Sequence, residues 1–196
     1  MPFPIKLLAG LGNPGPEYLL TRHNAGFWFV DAVAEKYSLK FRHESKFNAD
    51  TSRLNLDQGD CLVCKPQTYM NRSGHALQSL SAYYRIKPEE ILVVHDDIDL
   101  QPGDVRLKQG GGHGGNNGLR SIIEQMGDNN FNRVRLGVGH PGNSNDVINY
   151  VTSRPSAADT ELILQSIGRA MDVLSLVLVG DMQKAMTQLH TNPEQS

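Results

Sequence analysis

Long apolar runs are missing from this chain. None of its 196 residues belongs to a stretch approaching the roughly 18 consecutive apolar side chains that a bilayer-spanning helix needs. The opening stretch, Met1 to Ala9, carries one lysine and no signal-peptide architecture. A cytoplasmic protein with no membrane partner is the expectation. Cysteine is scarce as well. The two present, Cys61 and Cys64, spell C-x-x-C, a spacing that suits half a zinc site or a redox pair. A four-ligand zinc site normally draws on a second such pair, and the chain has none. A redox pair should open a helix after a strand, whereas Asp60 to Lys65 reads as a strand. Residues three apart on a strand face opposite ways, so two reduced, structural cysteines are expected. A strong excess of charge is absent too. The formal net charge is −2, which argues against a long nucleic-acid duplex held by charge alone.

The charge that is present is unevenly placed. Between Gln101 and His140 stand five basic residues (Arg106, Lys108, Arg120, Arg133, Arg135) and three acidic ones (Asp104, Glu124, Asp128). From Pro141 onward the balance is three basic to six acidic. Ordinary surface scatter accounts for this, as does a local patch sized for one or two phosphates.

No internal repeat and no linker divides the chain, and 196 residues suit one domain with a sizeable core. Buried strands are expected at Ile5–Ala9 and Ile91–Val94, where apolar residues run without interruption. Asp50–Leu56 and Asp60–Lys65 read as a strand pair turning at Gln58-Gly59. Val105–Lys108 and Val134–Val138 complete the strands. Helical spacing marks Asn24–Ser38, Gly74–Tyr84, Leu119–Met126, Ala157–Val179 and Met182–His190. Strands alternating with helices predict an α/β fold with one central sheet, over residues 5–190. The polar tail, 191–196, is expected to fray.

Several motifs could carry chemistry. Gly10-Leu11-Gly12-Asn13-Pro14-Gly15 matches the dinucleotide fingerprint G-x-G-x-x-G, which requires a helix to open inside it. Pro14 and Pro16 flank the last glycine, and Asn13 before Pro14 is pushed from helical angles. The other reading is a rigid turn that displays Asn13 at the carboxyl edge of a strand, where open α/β sheets place their sites. Thr21-Arg22-His23-Asn24 sets a histidine at a helix start, where a lone histidine is more often structural. His95-Asp96-Asp97-Ile98-Asp99 closes the strongest strand. These acids could be turn residues, ligands for Mg²⁺ or Mn²⁺, or an orienting partner for histidine. Ser73 is a reasonable N-cap after Gln67 to Arg72. The loop from Gly110 to Gly118 is glycine-rich enough to bring backbone against a ligand. No Lys-Ser or Lys-Thr follows, so it is not a Walker loop.

Taken together, Gly10–Tyr18, Thr21–Phe29, Pro66–Gly74, Val94–Leu100, Gly110–Leu119 and Arg135–Gly142 resemble the bacterial-type peptidyl-tRNA hydrolase family, in that family's order. The resemblance implies a single domain with a twisted mixed central β-sheet flanked by helices on both faces. It implies no metal, no cofactor and no required protein partner, and a monomer that acts on the acceptor end of peptidyl-tRNA. The family's catalytic histidine falls on His23 and its orienting aspartate on Asp96. Its substrate-positioning asparagines fall on Asn13, Asn71 and Asn117. Tyr18 and Tyr69 match positions that meet the tRNA end, and Met70 lines the cleft. Lys108 and Arg135 match the phosphate clamp. The family often has histidine just before the last of these asparagines, where this chain has Asn116.

Ester chemistry then gives an expected mechanism. Neutral His23 would take a proton from an attacking water, while Asp96 would hold the ring's tautomer and stabilise the imidazolium. Asn71 or Asn117 would meet the developing oxyanion, and Asn13 would engage the peptide backbone. Two rivals stand beside it: a metal-dependent hydrolase built on His95, Asp96, Asp97 and Asp99, and a non-catalytic RNA- or nucleotide-binding module.

Overall fold

The computed structural model describes residues 3–191. Its strands are β1 (Leu7–Gly10), β2 (Arg42–Glu44), β3 (Ala49–Leu54), β4 (Cys61–Pro66), β5 (Ile91–Asp97), β6 (Val105–Gln109) and β7 (Asn132–Gly137). Its α-helices are α1 (Ala25–Tyr37), α2 (Ser73–Tyr84), α3 (Asn117–Met126), α4 (Val147–Val151), α5 (Ala157–Asp172), α6 (Leu174–Leu178) and α7 (Met182–His190). All seven strands join one sheet, in the order β2-β3-β4-β1-β5-β7-β6. The four central strands, β4, β1, β5 and β7, are parallel neighbours. The edges, β2 and β3 on one side and β6 on the other, pair antiparallel. The expected mixed single-domain α/β architecture is what forms.

The central strands are apolar without alternation because both faces are covered. Leu8, Val63, Leu92 and Val94 meet α1, α5, α6 and α7 on one face. Leu7, Ala9, Ile91 and Val93 meet α2 and α3 on the other. Cys61 belongs to the first core and Cys64 to the second, as period-2 reasoning requires. Both thiols are buried and free. Burial pushes the Cys61 thiol up to about 12 and the Cys64 thiol up as well, so both stay protonated and inert.

Some boundaries moved. The helix expected over Ala157–Val179 breaks at Val173 (φ −102°, ψ 0°) into α5 and α6. The run Val173 to Val179 is almost wholly apolar, so its periodicity hides the bend. Leu174, Val177 and Leu178 are all 1% exposed, and the bend is what lets each of them reach the core. β2 and α4 had no signal: one is three polar residues at an edge, the other barely more than a turn. β1 begins at Leu7 rather than Ile5, and β5 continues past Val94 to Asp97. Ser73 is the first residue of α2 rather than its cap, its hydroxyl donating to the Met70 carbonyl at 2.8 Å. The polar tail beyond Thr191 lies outside the described residues.

Glycines decide how closely α1 approaches the sheet. A Cβ at Gly10 would stand 2.3 Å from the Gly26 carbonyl oxygen, and one at Gly26 would stand 2.4 Å from that of Val94. A Cβ at Gly12 would meet the Phe27 ring at 2.7 Å. No helix opens within Gly10–Gly15; a single 3-10 turn, Pro16–Tyr18, follows it. The fingerprint's glycines therefore seat α1 on the carboxyl ends of β1 and β5, and the dinucleotide reading falls.

Candidate active site

Asp96 lies near the end of β5, on the same face as Leu92 and Val94 and hence toward α1. The 3-10 turn Arg22–Asn24 feeds directly into α1, which the glycine contacts hold against that strand. His23 is thereby brought over Asp96. Its Nδ1 lies 2.9 Å from Oδ1 and 2.8 Å from Oδ2 of the carboxylate. His23 is 8% exposed and Asp96 3%. Burial alone would lower the His23 pKa. The Asp96 charge and hydrogen bond oppose that and leave it raised above the usual 6.5. Nδ1 is committed to Asp96, so Nε2 is the ring nitrogen left without a protein partner among the described residues.

Asn13 is fixed from two sides. Its backbone N–H donates to Asn24 Oδ1 at 2.8 Å, and Asn24 Nδ2 donates back to its carbonyl at 3.0 Å. Its side-chain Oδ1 accepts from the Met70 backbone N–H at 2.7 Å. With the acceptor end taken, the Asn13 amide N–H₂ is the part available to a ligand. This clasp also joins the turn after β1 to the segment Tyr69–Asn71, so two parts of the site 57 residues apart share one geometry.

A cavity of about 540 Å³ opens over these groups. Asn13, His23, Tyr69, Met70, Asn71, Asp96, Lys108, Asn117 and Arg135 all line it. Of the residues singled out from sequence, Tyr18 stands outside, edge-on to Tyr69 with centroids 6.3 Å apart and planes at 81°. Tyr69 is 58% exposed and Met70 4%, so one offers a face to solvent and the other packs the wall. Asn117 opens α3, its Oδ1 accepting from Arg120 Nη1 at 3.3 Å. Arg135 Nε donates to Asp97 Oδ2 at 2.8 Å. Lys108 is exposed at the rim.

The acidic run at the end of β5 is dispersed. Asp96 faces His23, while Asp97 holds Arg135 and accepts from the Asp99 backbone N–H. His95 is turned into the protein, its Nδ1 donating to the Asp96 carbonyl at 2.8 Å. Among the described residues, no three His, Cys, Asp or Glu side chains gather closely enough to hold a metal ion. Alternation along the strand explains this: neighbouring acids point to opposite faces.

Three contributors escaped the sequence, and a fourth, Asn116, was noted there without a role. Asn24 clasps Asn13. Arg22 donates from Nη1 to the Tyr150 carbonyl (3.0 Å) and Ser153 Oγ (2.7 Å), and lies 3.9 Å above the Tyr150 ring. It fastens α4, whose Val147, Ile148 and Val151 form one wall of the cavity. Arg133, 2% exposed, donates to the carbonyls of Gly111 and Gly112 and anchors the glycine-rich loop. Asn116 caps α3. Only the last carried a signal, an Asn immediately before a helical run. The others act on backbone carbonyls or on a neighbouring amide, partners that no local pattern reveals.

A cleft at the carboxyl ends of the parallel central strands of a mixed sheet, with a buried His–Asp pair on its floor, is the arrangement of an α/β protein of the hydrolase class. The sequence profile of the family described as peptidyl-tRNA hydrolase matches residues 7–196. The peptidyl-tRNA hydrolase of Halorhodospira halophila is 50% identical over 185 residues, covering 94% of this chain and 95% of the relative. That of Pectobacterium atrosepticum is 50% identical over 187 residues, covering 95% and 96%. The crystal structure of the Acinetobacter baumannii peptidyl-tRNA hydrolase superposes with a TM-score of 0.92 at 43% identity, covering 95% of each chain. The chain belongs to the peptidyl-tRNA hydrolase family.

Proposed function

We propose that this protein hydrolyses the ester that joins a peptide's C-terminal carbonyl to the terminal ribose of tRNA, with His23 as general base. The observation that carries this reading is the bond from His23 Nδ1 to both carboxylate oxygens of Asp96 in a buried site. With Nδ1 donating, the neutral ring presents the lone pair of Nε2, the atom that takes a proton from water as it attacks. Asp96 fixes that tautomer and stabilises the imidazolium. The proton then passes from His23 to the departing ribose oxygen.

Around this pair the asparagines divide the remaining work. Asn71 is the amide donor for the oxyanion, and Asn117 hydrogen-bonds the bound substrate. The free N–H₂ of Asn13 meets a peptide carbonyl, which selects substrates whose amino group is already acylated. Tyr69, with Tyr18 behind it, offers an aromatic surface to the terminal nucleotide, and Met70 walls the cleft. Lys108 and Arg135 hold backbone phosphate, a positioning role rather than a bond-breaking one. The scheme calls for no metal, no cofactor and no protein partner, and we read the protein as a cytoplasmic monomer.

Purified protein incubated with N-acetyl-aminoacyl-tRNA, with and without EDTA, tests the reading. Release of N-acetyl amino acid, insensitive to EDTA and abolished in His23→Ala, is the expected result. Full activity in His23→Ala, or activity that EDTA removes and Mg²⁺ or Mn²⁺ restores, would discard it.

A further inference from the structure

Asn116 touches the reacting pair and a helix end at the same time. It sits at the N-cap of α3 with extended backbone (φ −72°, ψ 119°). Its Oδ1 accepts from the backbone N–H groups of Gly118 (2.9 Å) and Leu119 (3.1 Å). An asparagine amide has one acceptor end and one donor end, so capping dictates where the donor points. It points at Asp96: Nδ2 lies 3.2 Å from the Asp96 carbonyl oxygen and 3.3 Å from carboxylate Oδ1. Among the described residues, His23 and Asn116 are the two side chains bonded to that carboxylate.

We propose that Asn116 is a positioning residue, which holds the Asp96 carboxylate in the plane that receives His23 Nδ1 and ties that plane to the first turn of α3. The inference rests on the His23–Asp96 reading. A carboxylate at a strand end can rotate about its Cβ–Cγ bond. Held only by His23, it would turn with the ring. The Asn116 amide gives Oδ1 a second donor, one that does not turn with the ring. Because the same amide is pinned by two backbone N–H groups, the carboxylate is referenced to a helix rather than to a loop. Asn117, the next residue, belongs to that helix turn, so the dyad and a substrate-facing asparagine move as one body.

The charged and titratable groups around the pair bear on any pH test. His95 and Asp97 flank Asp96 on β5, while Arg133 and Arg135, paired on β7 with Val93 and His95, line the same cavity. His113 comes from the glycine-rich loop, and Arg22 beside His23 turns away to Tyr150 and Ser153. None of these is altered by changing Asn116.

Three substitutions separate capping from carboxylate contact. Serine and aspartate both cap helices well, whereas alanine does not. Asn116→Ser keeps the cap and is too short to reach Asp96. It should lower kcat by about tenfold, leaving KM within about twofold and the melting temperature unchanged. Asn116→Asp keeps the cap and sets a second negative charge against Asp96. It should raise the His23 pKa, followed by NMR of the ring carbons, and move the acid limb of kcat/KM to higher pH. Asn116→Ala should lose both kcat and melting temperature. If Ser and Asp variants keep wild-type kcat and an unchanged His23 titration while Ala only melts earlier, Asn116 is a helix cap and nothing more, and the proposal is overturned. The NMR titration reads the contact without turnover, so it stands apart from the dyad's own test, the activity of His23→Ala.

Discussion

His23 and Asp96, on the floor of the cleft, are 8% and 3% exposed, and the ring meets the carboxylate at 2.8 and 2.9 Å. At the rim, Lys108 stands in solvent, and Arg135 shares a partly buried ion pair with Asp97. The floor is assembled from strand ends, a helix start and a cap, which cannot shift without breaking backbone hydrogen bonds. The rim is assembled from long cationic stems that adjust to what they meet. The difference separates two demands of one substrate. Bond cleavage needs groups placed to a fraction of an ångström, whereas holding a polyanion needs charge, which reaches further and tolerates misplacement. Salt should act on the second and leave the first alone.

The largest effect should come from the floor. His23→Ala should lower kcat by about 10²–10⁴, the usual worth of a general base. Asp96→Asn should lower the plateau too, and the double variant should be no slower than His23→Ala alone, because groups acting as a unit are non-additive. The pH dependence has a definite sign. Asp96 raises the His23 pKa above 6.5, so kcat/KM should fall as pH drops through that raised value, and Asp96→Asn should move this acid limb to lower pH. Fully additive losses in steady-state kinetics would break the comparison at its root.

Next comes Asn117, which stands between floor and rim. Asn117→Ala should raise KM by about tenfold, or ~1.4 kcal/mol. A fall in kcat at constant KM would instead identify Asn117 as the oxyanion donor and move it to the floor. For the rim itself, combined Lys108→Ala and Arg135→Ala should weaken tRNA binding severalfold and reduce the salt slope by about two ions. Cleavage of N-acetyl-aminoacyl-adenosine, which lacks the tRNA body, should stay within about twofold of wild type. Equal losses on both substrates would show that rim and floor are one device.

The smallest effect belongs to His95. Burial lowers its pKa below 6.5, so it stays neutral when folded and charges on unfolding. Its contribution to stability is present above pH 6.5 and is lost as pH falls toward the folded value, at no more than about 1.4 kcal/mol per pH unit. His23, raised, works in the other direction: its contribution is complete below 6.5 and lost as pH rises through the folded value. Melting temperatures of His95→Asn across the imidazole range should fall less steeply toward acid than wild type. An identical acid slope would show that His95 does not titrate on unfolding.

Much of this was readable from the chain alone. The central strands declared themselves because burial on both faces forces unbroken apolar runs, as at Ile91–Val94. His23, Asp96 and the three asparagines were legible as motifs, and nine of the ten residues singled out line one cavity. What stayed hidden depended on backbone partners. Arg133 reads as a surface cation until the carbonyls of Gly111 and Gly112 are seen to receive it. Arg22 has no reading of its own until α4, itself too short to announce, is found beneath it. The C-x-x-C pair was decided by strand alternation, and the G-x-G-x-x-G stretch by where its helix fails to begin. The spacing of Val173 to Val179 could not show a bend, because every residue of that segment but Ser175 is apolar.

The glycine at the start of α1 has a bearing on how a substitution survey of this protein would look. Alanine is favoured over glycine inside a helix by about 1 kcal/mol, so a propensity scale scores Gly26→Ala as an improvement. The added methyl would stand 2.4 Å from the Val94 carbonyl oxygen, and relief to ordinary carbon–oxygen separation means lifting the helix by about 1 Å. His23 would be carried along with it, and a displacement of that size can cost ~10²-fold in rate. In a growth-based survey, this methyl group would be depleted almost as severely as loss of the imidazole itself, in a protein that still melts as a folded one.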